Sequence, residues 1–397
     1  MRIFWRTLQR ELQYIIHSPR TLVVLVGTPI AIMLLLGYVY QAHSVNHIPT
    51  VILDYNHTSL SRLVINAFDS SDKFAVLGTV DTEQEMQKFI EEGKALAAVV
   101  IPPDFHRDIK RQKTAPVMLV VNGSNMVISN SVVTSASEIV TTLSVGTSVK
   151  VLEGKGILPD SAMNTANLIS LRPRIWYNPT FNYSNFLLLG LLGAAVQQVI
   201  LLYTSVSIAS EKNGGVVAEL AKSLKEITCY VFGKLTPYMV VNLITLNLTL
   251  FMLVRGFDIP FRGDWLTLGL LELSFVSGVA ALGVFLSIIS KNDLEATQTA
   301  MLIAVPSFLI SGYTWPLLSM PQPVQIVSNL LPLTHFVNAL RDVAIMGVGF
   351  STVANDIMAL TALAVLFIPL SIIALRWHVH RLNRRTTSDQ AQMNISG

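Results

Sequence analysis

Two uncharged runs separated by a short charged segment constrain this chain more than any other feature. Residues 186–209 and 235–254 contain no Asp, Glu, Lys or Arg, whereas residues 211–234 carry seven of them. At about 1.5 Å per residue, a helix over the first run crosses a hydrocarbon core of roughly 30 Å. Because a polar loop is not tolerated in lipid, we expect the charged segment to lie in water and to face a soluble partner. The predicted loop covers residues 210–229.

Further apolar runs bring the predicted number of membrane helices to six. These runs are Thr21–Tyr40, Leu266–Ser290, Ala296–Leu318 and Ile357–Leu375. The composition agrees, since 51% hydrophobic and 13% charged residues with a mean hydropathy of +0.53 exclude an ordinary soluble protein. A cleaved signal peptide is the rival for the run at 21–40, but the charged region before it is too long and the apolar run exceeds a usual signal core. We interpret it as transmembrane helix 1 and residues 181–376 as a domain of five more.

Residues 41–180 have a different pattern, in which β-branched apolar runs alternate with amphipathic stretches. Strands are predicted at residues 50–54, 74–80, 96–101 and 117–121, with helices between them and a longer helix over 125–152. Alternating strands and helices indicate an α/β domain with a largely parallel sheet. The predicted fold class is a polytopic α-helical membrane protein with six transmembrane helices and an α/β extracytoplasmic domain inserted between helices 1 and 2.

Basic residues are unevenly distributed among the segments outside the apolar runs. Residues 1–20, the 210–229 loop and the tail at 377–397 are rich in Lys and Arg, whereas the short connections at 255–264 and 313–356 have two and one. The positive-inside rule then places both termini in the cytoplasm and residues 41–180 in the periplasm of a bacterial inner-membrane protein. Residues 1–20 have apolar positions at helical spacing and predict an amphipathic interfacial helix. The alternative is a soluble helix packed on a core.

Residues 316–349 are apolar but interrupted by several prolines. This pattern favours a re-entrant pair of half-helices in the outer leaflet, which is tolerated only against protein or a cavity. An interfacial loop with one surface helix remains the alternative.

Motifs of catalysis and nucleotide binding are absent from the sequence. It contains no phosphate-binding G-x-x-x-x-G-K-[ST] motif, no H-E-x-x-H and no G-x-S-x-G. The single cysteine, Cys229, excludes an intrachain disulfide or a cysteine metal cluster, and a net charge of +3 gives no reason to expect nucleic acid. We expect no catalytic residue, metal or cofactor in this chain.

Polar side chains inside the predicted spans are costly and therefore informative. Glu272, Gln197 and Asn242 lie within apolar runs. They form either a polar patch on a translocation path or subunit seam, or interhelical hydrogen bonds without a transport role.

Three stretches resemble the membrane subunit of type-2 ABC exporters, in the multidrug-export branch. Residues 51–56 (VILDYN), 98–105 (AVVIPPDF) and 120–124 (VVNGS) are similar to the outer domain of that branch. The second stretch, similar to the cytoplasmic motif of the family, comprises Ile208, Ser210, Glu211, Lys212, Gly215, Leu220, Gly233, Lys234 and Pro237. The third, similar to the family signature, comprises Ser311, Gly312, Tyr313, Pro316, Met320, Pro321, Gln325, Pro332, Arg341 and Gly347.

The resemblance implies a dimer of permease subunits bound to cytoplasmic ABC ATPase subunits, which hold ATP and Mg²⁺ in place of this chain. It implies that the N-terminal helix and the loop contact the ATPase through Glu211, Lys212, Gly215, Leu220, Lys222 and Lys225. It also implies an outer gate or signature at Gly312, Pro316, Pro321, Pro332 and Arg341. The loop departs from the family pattern at Asn213, Val216 and Ala218, so a heterodimer with a better-matched paralogue and a homodimer both stay open.

The predicted function is the permease subunit of an ATP-driven exporter that moves a lipophilic or drug-like substrate out across the inner membrane. A periplasmic membrane-fusion adaptor is a possible partner of the outer domain. The alternative is a membrane receptor or assembly scaffold whose outer domain binds a ligand or partner without transport. Neither reading identifies the substrate.

Overall fold

Long apolar helices make up most of the chain. The computed structural model describes residues 2–40, 46–111, 113–124, 126–154, 156, 158, 176–178, 182–212 and 223–396. The chain divides into a helical unit, residues 1–43 and 176–397, and a second unit, residues 44–175. Among the described residues, the helices that are long and apolar enough to cross a membrane are Pro19–Val39, Tyr183–Glu211, Leu224–Gly256, Trp265–Ile289 and Phe350–Arg381. The protein is therefore a helical polytopic membrane protein with five candidate spans.

The helical unit begins with an amphipathic helix and the first candidate span. Helix α1 (Arg2–His17) buries Thr7, Glu11 and Ile15 on one face. After a break at Ser18, α2 (Pro19–Leu22) continues through a π-helical turn at Val23–Gly27 into α3 (Thr28–Val39).

The second unit contains a four-stranded sheet flanked by helices. In chain order its elements are β1 (Ile48–Asp54), α4 (Ser59–Asp69), β2 (Phe74–Val80), α5 (Glu83–Glu91), β3 (Ala97–Ile101), α6 (Phe105–Lys110), β4 (Met118–Val121) and α7 (Met126–Glu153). The strand order is β2-β1-β3-β4, with β1 parallel to both neighbours and β4 antiparallel to β3. Alternate residues of β1 pack on opposite faces: Ile48 and Ile52 belong to one apolar cluster, and Val51 and Leu53 to another. Burial of both faces explains why the central strands β1 and β3 are predominantly apolar.

The remaining helices of the helical unit follow after residue 182. They are α8 (Tyr183–Val206), α9 (Ala209–Lys212), α10 (Leu224–Gly256), α11 (Trp265–Ile289), α12 (Asp293–Ile310), α13 (Gln322–Asn329), α14 (Pro332–Arg341) and α15 (Phe350–Ser396), with a 3₁₀ turn at Leu317–Ser319 and a π-helical turn at Asp342–Met346. Side-chain caps start four of them: Ser223, Asp264 and Asn292 each accept a hydrogen bond from the third residue of the helix that follows, and Asn182 accepts one from the second residue of α8. Helix α11 is the most buried candidate span and packs mainly against α15 and α8.

One predicted span ends earlier than the apolar pattern indicated. Over the run 296–318 the structure has α12, which stops at Ile310 and has Asp293 and Glu295 in its first turn. Gly312 follows with φ of +80°, a left-handed conformation that glycine adopts readily and that is typical just after a helix end. At 18 residues, α12 is about 27 Å long and is not among the five candidate spans.

The proline-rich segment 316–349 forms short helices separated by turns. Pro332 occupies the start of α14, where a missing backbone N–H costs nothing. Pro321 immediately precedes α13, and Pro316 precedes the 3₁₀ turn. The prediction that this segment re-enters the membrane stays a prediction.

Candidate functional site

The residues predicted to contact a soluble partner lie around the gap between α9 and α10. Glu211 is in α9, Lys212 is the last residue of that helix, and Lys225 is exposed in the first turn of α10. Gly215, Leu220 and Lys222 lie outside the described residues. Their predicted role stays a prediction, but the surroundings of Glu211 are well defined.

Lys234 of α10 is the centre of a buried group of charges. Its Nζ atom lies 2.6 Å from Oε1 of Glu11 and 2.6 Å from Oε1 of Glu211, and it donates a third hydrogen bond to the carbonyl of Ser207 at 2.8 Å. The lysine is 1% exposed. Three donors therefore meet three acceptors, which is the full capacity of an ammonium group.

Three further side chains complete the group. Arg10 Nη2 lies 2.5 Å from Oε1 of Glu211, and the Tyr230 hydroxyl donates to Oε2 of Glu211 at 2.5 Å. The Tyr238 hydroxyl donates to Oε2 of Glu11 at 3.2 Å. We name this set, Arg10, Glu11, Glu211, Tyr230, Lys234 and Tyr238, the Lys234 cluster. Its two cations and two carboxylates sum to zero charge, as burial of charges requires.

The cluster connects α1, α9 and α10. Close packing supports it, because a Cβ atom at Gly233 would lie 2.8 Å from the Thr7 side chain and 3.1 Å from the Phe4 carbonyl. Glycine at this position lets α1 lie directly on the α10 backbone. The charges then meet because Glu11 is one turn from Thr7 on the same face of α1.

The prediction that Lys234 lies in water was wrong, because its side chain is buried. The charged segment 211–234 was expected to lie in water, but α10 starts at Leu224 and takes Lys234 three turns into the helix. Ser223 and Glu226 form a capping box, a start signal that was readable in the sequence. Nothing in the sequence indicated Glu11 as the partner, because the two residues are 223 positions apart.

The end of α8 is tied to α11 by one side chain and one close approach. The Ser287 hydroxyl oxygen accepts from the backbone N–H groups of Ile208 and Ala209, at 2.9 and 2.8 Å. One turn away, a Cβ atom at Gly283 would overlap the Thr204 side chain. The backbone break between α8 and α9 is thus held against the most buried helix of the unit.

Two of the signature residues, Gly312 and Arg341, lie next to Tyr313, which follows the end of α12. The Tyr313 ring is buried and stacks on Phe186 of α8, with ring centroids 5.3 Å apart, and its hydroxyl donates to the Phe186 carbonyl. The Arg341 guanidinium lies 5.6 Å from the same ring and pairs with Asp342 at 3.5 Å. Gly312 supplies the turn that directs Tyr313 inwards. The structure therefore brings Gly312 and Arg341 together around one aromatic side chain.

His335 of α14 joins the short helices to α15. Its Nδ1 lies 2.8 Å from Oδ1 of Asp356, and its Nε2 lies 2.9 Å from the carbonyl oxygen of Asn329. Both partners are acceptors, and a neutral imidazole can donate from only one nitrogen. The hydrogen bond that His335 donates to Asp356 raises the pKa of His335 above its ordinary value. Burial also raises the pKa of the neighbouring Asp342.

The predicted intramembrane polar residues are all buried. Gln197, Asn242 and Glu272 are at most 2% exposed. The Asn242 amide donates to the carbonyl of Tyr238 one turn before it, at 2.8 Å. One side-chain oxygen of each of the three accepts no hydrogen bond within the described part of the chain. Over the same residues, no three His, Cys, Asp or Glu side chains are grouped as a metal site needs.

Comparison with known proteins places similarity along nearly the whole chain. Residues 19–373 match the family described as ABC-2 family transporter protein. The chain is 24% identical over 356 residues to the probable multidrug ABC transporter permease YbhR of Escherichia coli K12, covering 90% of this chain and 93% of that protein. It is 24% identical over 381 residues to the probable multidrug ABC transporter permease YbhS of the same strain, covering 92% and 96%. It is also 24% identical over 340 residues to the inner membrane transport permease YhhJ of that strain, covering 84% and 86%.

Proposed function

This chain belongs to the ABC-2 family of transporter proteins, and from that premise we propose that it is the permease subunit of an ATP-driven exporter in a bacterial inner membrane. The family membership makes it a transport subunit that works with ATP-binding subunits and is not itself an enzyme. The proposal adds the direction, outward, and the substrate class, lipophilic or drug-like. The names of YbhR and YbhS support multidrug export, and that of YhhJ supports the inner membrane.

The Lys234 cluster is the observation that carries the proposal. ATP is bound with Mg²⁺ by partner subunits, so their closure must reach the membrane helices through a mechanical contact. The cluster joins α1, the end of the α8–α9 segment and α10 through ion pairs, of which Lys234–Glu11 is buried and those of Glu211 are partly buried. A push on α1 or on the loop after Lys212 is therefore transmitted to two candidate spans at once. The residues proposed to contact the ATPase are Lys212, Gly215, Leu220, Lys222 and Lys225.

The topology follows from the distribution of basic residues. Both termini and the 210–229 loop lie in the cytoplasm, α12 is a sixth span, and the α/β unit lies in the periplasm between the first two spans. Two permease subunits, identical or paralogous, form the pathway, and residues 316–349 form its outer gate. The α/β unit offers a surface to a periplasmic membrane-fusion adaptor.

Copurification tests this assignment. The affinity-tagged full chain is extracted in mild detergent, and the retained proteins are identified by mass spectrometry. We expect an ATP-binding subunit, whose recovery falls when residues 213–222 are replaced by a Gly/Ser segment of equal length. Lys73→Glu, a charge reversal in the α/β unit, is the control and should leave recovery unchanged.

Two results would contradict the proposal. The first is the absence of any ATP-binding chain together with unchanged export by the loop variant. The second is protease accessibility of the α/β unit from the cytoplasmic side in oriented vesicles, which would reverse the topology. The receptor or scaffold alternative would gain from the first result.

A further inference from the structure

Glu272 is a buried carboxyl group, and only one of its two oxygens accepts a hydrogen bond from the described residues. It is 2% exposed in α11, and its Oε2 accepts a hydrogen bond from Asn247 Nδ2 of α10 at 2.6 Å. Its Oε1 accepts none from the described residues. A carboxylate offers about four acceptor positions on its two oxygens. Room for further donors therefore remains at Oε1.

Glu272 also has no ion-pair partner among the described Lys, Arg and His side chains. Buried carboxylates are normally paired, because taking an isolated charge out of water costs several kcal/mol. Glu11 and Glu211 of the same helical unit differ from Glu272 in this respect, because they pair with Lys234 and Arg10. A group that supplied one positive charge would complete the surroundings of Glu272.

Asn247, the one hydrogen-bond partner of Glu272 in the described part of the chain, lies on an exposed face. Asn247 is exposed on α10, between the exposed apolar residues Ile244, Leu248 and Phe251. A compound lying on this face meets aliphatic and aromatic side chains first, with the carboxyl group one side chain behind them. Such surroundings suit an apolar body that carries a positive charge.

The depth of the pair agrees with a ligand that enters from lipid. Glu272 is the eighth residue of α11, which places it about 10 Å from the helix start. Asn247 is nine residues before the end of α10 at Gly256, or about 14 Å. The connected ends of these two helices place both residues inside the hydrocarbon region, on its outer half in the proposed topology.

We propose that Glu272 and Asn247 form a binding site for lipophilic organic cations, which are the substrate class of this permease. The inference rests on the proposed export function and deepens it. The carboxylate supplies the counter-charge, Asn247 holds the carboxylate in place, and the exposed face of α10 receives the apolar body. Cationic compounds are thereby distinguished from neutral compounds of the same shape.

Binding to the full chain in complex with its copurified partners tests the site without relying on transport. The probes are tetraphenylphosphonium, a cation, and triphenylphosphine oxide, an uncharged relative. We expect the wild-type protein to prefer the phosphonium, and Glu272→Gln to weaken phosphonium binding at least about tenfold while oxide binding stays within about twofold. Glutamine keeps the size of the side chain and its bond from Asn247. Glu83→Gln, which removes an exposed carboxylate from the α/β unit, is the control and should change neither affinity.

Equal phosphonium binding by wild type and Glu272→Gln would overturn the inference, as would equal loss of both probes in a folded variant. A labelling experiment on the wild type covers the case in which the variant does not fold. Dicyclohexylcarbodiimide modifies membrane carboxyl groups, and mass spectrometry reads the modification of Glu272. Phosphonium should protect Glu272 and the oxide should not; labelling that ignores both probes would overturn the site.

Transport separates this inference from the function on which it rests. If phosphonium protects Glu272 but ATP drives no export from proteoliposomes, the export function fails and the site stands. If lipophilic compounds are exported and Glu272→Gln moves phosphonium at the wild-type rate, the site fails and the export function stands.

Discussion

Replacing Lys234 by methionine should loosen α1 from the rest of the helical unit. The lysine side chain is 2% exposed and touches Glu11 and Glu211, each at 2.6 Å. Methionine fills a similar volume but leaves two carboxylates facing one cation, Arg10. The variant therefore tests the charge at this position and not its size.

The expected magnitude follows from the burial of the pair. Removing one partner of a buried ion pair costs about 3–5 kcal/mol, because the remaining charge is left without compensation. Part of this cost is relieved if α1 detaches and its carboxylate reaches water. If the free energy required to detach α1 falls by about 3 kcal/mol, amide exchange in this helix becomes at least about a hundredfold faster.

Hydrogen exchange of residues 2–17, followed by mass spectrometry in detergent, measures this opening. Lys225→Met, at an exposed position of the same helix, should leave exchange unchanged. Glu11→Gln combined with Lys234→Met restores the charge balance between Arg10 and Glu211 and should recover most of the protection. Unchanged exchange in the Lys234→Met variant, or a double variant as open as the single one, would refute the argument from charge.

Two further variants probe the other end of the helical unit. The pKa of His335 is raised in the folded protein, so the bonds of the protonated imidazole stabilise the fold fully below the ordinary pKa near 6.5 and are lost as the pH rises through the raised pKa. The thermal unfolding midpoint of the wild type should therefore fall over this pH range, whereas that of His335→Gln should stay constant. The same pH dependence of the midpoint in both proteins would contradict the prediction. A side chain at Gly190 would overlap the Tyr313 ring, so Gly190→Leu should lower the free energy of unfolding by about 1–3 kcal/mol. Gly269→Ala is the control, because a Cβ atom at Gly269 meets no atom within 4 Å. Equal losses of stability in the two variants would refute the packing argument.

The sequence predicts elements well where a single pattern dominates. The span predicted at 266–290 is α11 at Trp265–Ile289, because a predominantly apolar run of this length satisfies its backbone in lipid only as a helix. The strands of the α/β unit likewise lie within two residues of their predicted positions. The pattern is clearest for β1 and β3, which are parallel and almost wholly buried and are therefore mostly apolar.

The sequence fails where an ion pair forms between distant segments. Lys234 looked like part of an aqueous loop because a charge normally marks the end of a span. Its compensation comes from Glu11, and only the packing of α1 on Gly233 brings the two together. The end of α12 was missed for another reason: hydropathy continues past Ile310, while the Ser311-Gly312 turn that stops the helix is a backbone signal.

The contacts between the end of α8 and α11 allow little relative movement of the two helices. The Ser287 hydroxyl oxygen accepts hydrogen bonds from the amides of Ile208 and Ala209, which follow the end of α8. The backbone of Gly283 packs directly against the Thr204 side chain. Neither contact includes a long side chain that can change rotamer to absorb a displacement. A displacement of Glu211 would thus be transmitted to α11 within about one helical turn, through the hydrogen bonds that the Ser287 oxygen accepts from Ile208 and Ala209.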